Sequence, residues 1–138
     1  MPWEPGLIYT VVGILTNPEG CILIAERPSN KVYAGYWEFP GGKREQHEDT
    51  FSALIREFKE ELGIHIVSAE PWVQTTHQYP DKTVYLDVWR VVEYQGKPRG
   101  VEGQRICWVR PEEIGQYRIL EGNTFLAAEL SKWHMNGR

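Results

Sequence analysis

The sequence predicts a mixed β-sheet covered by helices, of α/β or α+β class. Three observations carry this. Strand-like runs rich in β-branched and aromatic residues fall in two blocks. Between the blocks lies a strongly amphipathic segment with helix start and stop signals, and a second helical pattern closes the chain. No internal repeat, low-complexity tract or long linker interrupts the 138 residues. They read as a single domain, 1–138, long enough to bury a core without staples.

In chain order, Leu7 to Leu15 reads as a strand, Asn17-Pro18-Glu19-Gly20 as a turn, and Cys21 to Ala25 as a second strand, together suggesting a hairpin. Pro40-Gly41-Gly42 breaks the chain. The clearest helix follows. Asp49 is its N-cap, and Phe51, Leu54, Ile55, Phe58 and Leu62 keep the spacing of one apolar face. Gly63 suits the left-handed residue that closes a helix. Ile66 to Tyr79 and Thr83 to Val92 are longer strands around the turn Tyr79-Pro80-Asp81-Lys82. Gln95 to Gln104 is a polar, glycine-rich loop and Arg105 to Val109 a short strand. Asn123 to Trp133 reads as a helix with Leu126, Leu130 and Trp133 on one side.

Composition narrows the functions. Net charge is -4, which argues against broad binding to a nucleic-acid backbone. Phosphate substrates stay open, because a divalent metal can supply the positive charge. Cys21 and Cys107 are far apart, in no zinc-binding pattern, and read as free thiols in a reduced, cytoplasmic setting. The N-terminal residues lack the basic-then-apolar order of a signal peptide, and no apolar run is long enough to cross a membrane. The histidines are scattered without ligand spacing and receive no role.

The informative segment runs from Gly42 to Ile64. On the helix, Glu57, Glu60 and Glu61 stand at i, i+3 and i+4, within an arc of about 100°. Clustered carboxylates repel one another, and a hard cation such as Mg²⁺ or Mn²⁺ turns the repulsion into a site. Arg56 precedes Glu60 by four residues and can pair with it; Glu48 can reach the N-terminal side of the cluster. A solvated acidic face is the bland alternative. The leading Gly-Gly, the adjoining Arg and the terminating Gly argue against it.

This segment resembles the Nudix box, G-x5-E-x7-R-E-U-x-E-E-x-G-U with U a bulky apolar residue. Gly42, Glu48, Arg56, Glu57, Glu60, Glu61 and Gly63 match its fixed positions, and Phe58 and Ile64 its apolar ones. Phe58 is aromatic where the family usually has an aliphatic residue, so local repacking is expected. Trp37-Glu38-Phe39-Pro40-Gly41-Gly42-Lys43 is similar to the lead-in of MutT-like members, and the likeness extends from about Tyr9 to Leu130. It implies an α/β/α sandwich around a mixed sheet, with the box as a loop-helix-loop catalytic motif. It implies Glu57, Glu60, Glu61, Glu102 and the Gly41 carbonyl as ligands of Mg²⁺, with Mn²⁺ a possible substitute. Glu57 or Glu102 would take the proton from water, Arg56 would orient Glu60, and Glu48 would support the cluster.

For the substrate, the resemblance points to a nucleoside triphosphate cleaved to monophosphate and pyrophosphate, with 8-oxo-dGTP the defining example. Arg27, Tyr79, Asp81 and Lys82 match segments near the nucleotide, and Asn123 stands where such enzymes hydrogen-bond the oxidised purine. Asn123 is equally read as a helix N-cap, and Phe39 and Tyr79 as base-pocket or core residues. CTP or 5-methyl-dCTP is the rival substrate. A non-catalytic Nudix domain is the rival of another class; such domains commonly lose box glutamates, which this chain keeps. The expected partners are the nucleotide alone, with neither nucleic-acid polymer nor membrane, in a monomer or homodimer.

Overall fold

A computed structural model describes residues 3–132. Within these residues seven strands form two sheets. The first, in the order β4-β1-β6-β5, uses β1 (Leu7–Ile14), β4 (Gly41–Lys43), β5 (His65–Tyr79) and β6 (Lys82–Gln95). Its pairs are antiparallel except β1 with β6, which run parallel from Leu7 beside Thr83 to Ile14 beside Arg90. The second sheet is antiparallel, ordered β3-β2-β7, from β2 (Ile22–Glu26), β3 (Trp37–Glu38) and β7 (Ile106–Val109).

The expected hairpin between the first two long strands is not what forms. The turn is there: the Asn17 carboxamide oxygen accepts the Cys21 N–H at 2.8 Å, and Gly20 N–H donates to the Asn17 carbonyl at 2.9 Å. Beyond it β1 and β2 part into different sheets, joined by the bridge Thr16–Ile22 and by Leu23 N–H to the Leu15 carbonyl. Both edges of β1 are already taken, by β4 and β6, so none is left for β2.

Helix α1 (Thr50–Leu62) forms as its sequence predicts. Asp49 accepts the Ser52 N–H at 2.8 Å, and Gly63, at φ 70°, closes the helix with its N–H on the Lys59 carbonyl. Leu54, Phe58 and Leu62 are fully buried against Val11, Leu15 and Leu23. On the other face of the sheets Val12, Ile14, Ile22, Ile24 and Val88 pack against Leu126 and Leu130 of α2 (Thr124–Leu130). Alternate residues of β1 and β2 thus feed two cores, giving helix, sheet and helix layers. Gly13 is the gap in this alternation. It faces α1, and a side chain there would meet the Phe58 ring, its Cβ lying 2.5 Å from Phe58 Cζ. The Phe58 ring fills the space that a side chain at position 13 would need.

The last helix is shorter than expected and differently begun. A 3₁₀ turn, Glu121–Asn123, precedes it, and the Asn123 side chain makes no capping bond. The N-cap role is therefore corrected: Asn123 is buried and bonded elsewhere. The helix ends at Leu130, and Trp133 lies outside the described residues. Among the described residues no helix is long and apolar enough to cross a membrane.

Candidate functional site

Ile8, Thr10 and Val12 project from one face of β1 and, with Val84 and Leu86 of β6, floor a cavity of about 480 Å³. Strand register sets its two ends. Gly41 lies beside Val12 and Val84 beside Ile8, four residues apart along β1, or about 13 Å at the strand rise. Carboxylates crowd the Gly41 end; His77, Tyr79 and Lys82 come in from the Ile8 end, and Phe39, two residues before Gly41, adds a further wall with Asn123.

At the carboxylate end, β4 and α1 approach closely because Gly42 has no side chain; a Cβ there would overlap the Glu57 carboxylate. Arg56 organises the wall. Its Nε and Nη2 donate to the two oxygens of Glu48 at 2.6 and 2.8 Å, and Nη2 also donates to the Lys43 carbonyl at 3.0 Å. Nη1 donates to Glu57 Oε2 at 2.9 Å and reaches Glu60 only at 3.4 Å. The guanidinium thus holds Glu48 and Glu57 more firmly than Glu60, which is largely exposed. The paired fork holds the Glu48 carboxyl down at about 2.

Glu57 and Glu61 have the opposite electrostatics. Burial raises the Glu57 pKa, partly offset by Arg56. Burial also raises Glu61, to about 8, with repulsion from Glu38, Glu102 and Glu57 adding to it. Exposed Glu102 is brought over this wall by a loop docked on the end of α1. Val101 N–H donates to the Glu61 carbonyl at 3.1 Å, and Arg99 N–H to that of Leu62 at 3.0 Å. Buried Gln104 clamps the two together, donating from Nε2 to the Glu61 carbonyl at 2.9 Å while Oε1 accepts the Glu102 N–H at 3.0 Å. Sequence reasoning left Gln104 in a polar loop; nothing in periodicity marks it.

Among the described residues, no three acidic, imidazole or thiol groups converge at coordination spacing. The arrangement is an open wall of hard oxygens under mutual repulsion. That donor set fits a divalent ion of the Mg²⁺ type, which keeps waters and shares its shell with substrate phosphates. A pH prediction follows. Free of metal, the folded chain holds a proton on Glu61 between pH ~4.5 and ~8 that the unfolded chain has released. More protons bound when folded means stability falls as pH rises through that window. Glu48 adds no slope there, since its contribution is lost only as pH falls toward 2. We expect the Tm in chelator to decline from pH 5 to 8, and added Mg²⁺ to raise it more at pH 8 than at pH 6. A Tm that rises over the interval would count against this account.

In the rest of the cavity wall Asn123 is central. Its Oδ1 accepts the Phe39 N–H at 2.9 Å, and no group among the described residues takes its amide N–H donors. Tyr79 is buried, its hydroxyl accepting the Gly122 N–H at 2.9 Å; burial raises its pKa. Phe39 and Lys82 also line the cavity, the ammonium 5.8 Å from the centre of the Tyr79 ring. Asp81 is exposed and does not line it. Arg27 does, but its guanidinium is engaged by Glu38 at 3.1 Å and the Val32 carbonyl at 2.7 Å. Glu38 itself, whose pKa burial raises, was not singled out from sequence. Nor was His77, which lines the cavity, packs edge-on against Tyr79 and lies 3.0 Å from Glu121.

Comparison with known proteins places this geometry. Residues 11–128 match the family described as NUDIX domain. The chain is 37% identical over 109 residues to the CTP pyrophosphohydrolase of Escherichia coli (strain K12), covering 79% of this chain and 81% of that protein. It is 35% identical over 113 residues to the 8-oxo-dGTP diphosphatase of Haemophilus influenzae, covering 80% and 83%. Among solved structures, a MutT from work on Aliivibrio salmonicida and Vibrio cholerae superposes with a TM-score of 0.79 at 32% identity, covering 92% of this chain and 98% of that one. The E. coli ORF135 protein does so with 0.78 at 34%, covering 88% and 86%.

Proposed function

The chain belongs to the Nudix family of hydrolases, and on that premise we propose that it cleaves 8-oxo-dGTP to 8-oxo-dGMP and pyrophosphate, a nucleotide-pool sanitising reaction, using Mg²⁺. The observation that carries the substrate reading is the Asn123 amide. With Oδ1 committed to the Phe39 N–H, the group offers donors to the cavity. An oxopurine edge presents carbonyl acceptors to such donors, whereas the N4 amino group of cytosine would meet donor with donor.

Glu57, Glu60, Glu61, Glu102 and the Gly41 carbonyl would hold the metal. When bound, it neutralises phosphate oxygens and lowers the pKa of water. The chain's own residues do the rest. Arg56 fixes Glu57 against β4. Glu57, held beside Gly42 by Arg56, is placed to accept a proton from the attacking water. Gln104 keeps Glu102 over the same wall. Phe39 and Tyr79 bound the base end, Lys82 adds positive charge, and Arg27 braces that wall through Glu38.

A second reading, cytidine triphosphate hydrolysis, is favoured by the identity to the E. coli CTP enzyme. The two separate in kcat/KM for 8-oxo-dGTP, dGTP, CTP and 5-methyl-dCTP with Mg²⁺, reading monophosphate and pyrophosphate by chromatography. We expect 8-oxo-dGTP to lead. Asn123→Asp, which keeps the acceptor for Phe39 but removes the donors, should then lose about 30–100-fold on 8-oxo-dGTP and gain on CTP relative to it. A cytidine preference in the unaltered protein overturns the purine reading and leaves the reaction class standing.

A further inference from the structure

Tyr33 is the one non-glycine with a left-handed backbone among the described residues, at φ 62°. Bulky side chains avoid this region, and a residue held there is over-determined by its surroundings. The surroundings are on view. Arg27 N–H donates to the Tyr36 carbonyl at 2.8 Å and Gly35 N–H to the Arg27 carbonyl at 3.1 Å. Tyr36 N–H donates to the Tyr33 carbonyl at 3.2 Å, and the Arg27 guanidinium grips the Val32 carbonyl. The segment between β2 and β3 is therefore folded on Arg27, and its shape is set before any ligand arrives.

That shape aims one ring. Tyr33 is partly buried, lines the cavity, and leans on Tyr79 with centroids 5.5 Å apart and planes tilted by 40°. At 5.5 Å the two rings touch, so no base fits between them. They form one continuous aromatic wall away from the α1 carboxylates. Arg27 and Glu38 beside it are paired with each other, and the rings themselves present an apolar face, so a flat π-surface is the partner the wall suits.

We propose that Tyr33 is a specificity-determining residue of the base subsite: its ring, held by the strained loop, stacks on the nucleobase and favours the larger purine face. This rests on the nucleotide reading above. Stacking on an aromatic side chain needs only a π-face, so the contribution should depend on the base and not on the phosphates.

The test compares Tyr33→Gly, which removes the ring and tolerates positive φ, with Tyr33→Phe, which keeps the ring. Each is assayed on 8-oxo-dGTP and on 2-deoxyribose 5-triphosphate, which has no base. The expected result is a rise in KM of about 10–50-fold for Tyr33→Gly on the nucleotide, none on the baseless triphosphate, and recovery of most of the affinity by Tyr33→Phe. Relief of the strained φ offsets part of the lost contact with Tyr79, so the Tm of Tyr33→Gly should fall by only a few degrees. An unchanged KM, or equal losses on both substrates, overturns the stacking role. If the unaltered protein hydrolyses no triphosphate at all, the nucleotide reading falls first and this inference with it.

Discussion

Glu57→Gln is expected to lower kcat by about 10²–10⁴-fold while KM for the triphosphate moves only a few-fold, the signature of a lost proton acceptor. The amide keeps the shape that fits against Gly42 and can still take a hydrogen bond from Arg56. It removes the proton-accepting oxygen and one of the charges a metal would meet. Tm without metal should hold or rise, since burial already works against the ionised carboxylate. Glu60→Gln is the useful contrast: Glu60 is more exposed and barely held by Arg56, so its loss should act through metal affinity and yield to higher Mg²⁺. Should Glu57→Gln keep more than a tenth of its activity while Glu102→Gln does not, the proton acceptor is Glu102.

The second large effect is on folding. Gly13→Ala places a methyl 2.5 Å from Phe58 Cζ and 2.8 Å from Cε1, in a core with no exposed side. The buried ring must shift to admit it, so we expect a loss of about 2–3 kcal/mol, or roughly 5–10 °C in Tm. Phe58→Leu should relieve it. The double variant should be more stable than the sum of the single effects by about 1–2 kcal/mol. Strict additivity in that cycle would mean that the two positions are not fitted to each other.

What the sequence made legible was whatever is decided within a few residues. The cap of α1, its apolar stripe and Gly63 are local signals, and all are realised. The strand pairing is not local. Asn17-Pro18-Glu19-Gly20 turns the chain as its residues require, yet whether β1 and β2 stay paired depends on competitors far along the chain, β4 and β6. Strand β4 escaped notice because Gly-Gly carries no strand pattern. Asn123 shows the same limit in a side chain. An Asn before an apolar run reads as a cap, and only the distant Phe39 N–H redirects it. In the candidate site the helix carboxylates were visible through their spacing. Gln104, Glu38 and Tyr33 were not, because what makes them notable is a partner or a backbone angle that no spacing encodes.

The parallel pairing of β1 with β6 has a consequence for the newborn chain. Residues 7–14 leave the ribosome well before residues 83–90, which form the strand parallel to them. At roughly 5–20 residues per second, an apolar strand with one edge open waits on the order of ten seconds for β6, although β4 is made earlier. Meanwhile β5 and β6, joined by a tight turn, can zip within microseconds of being made. Assembly therefore runs backward through the chain, the last-made hairpin serving as template for the first-made strand. The long loop that must close gives a slow step set by contact order and not by stability.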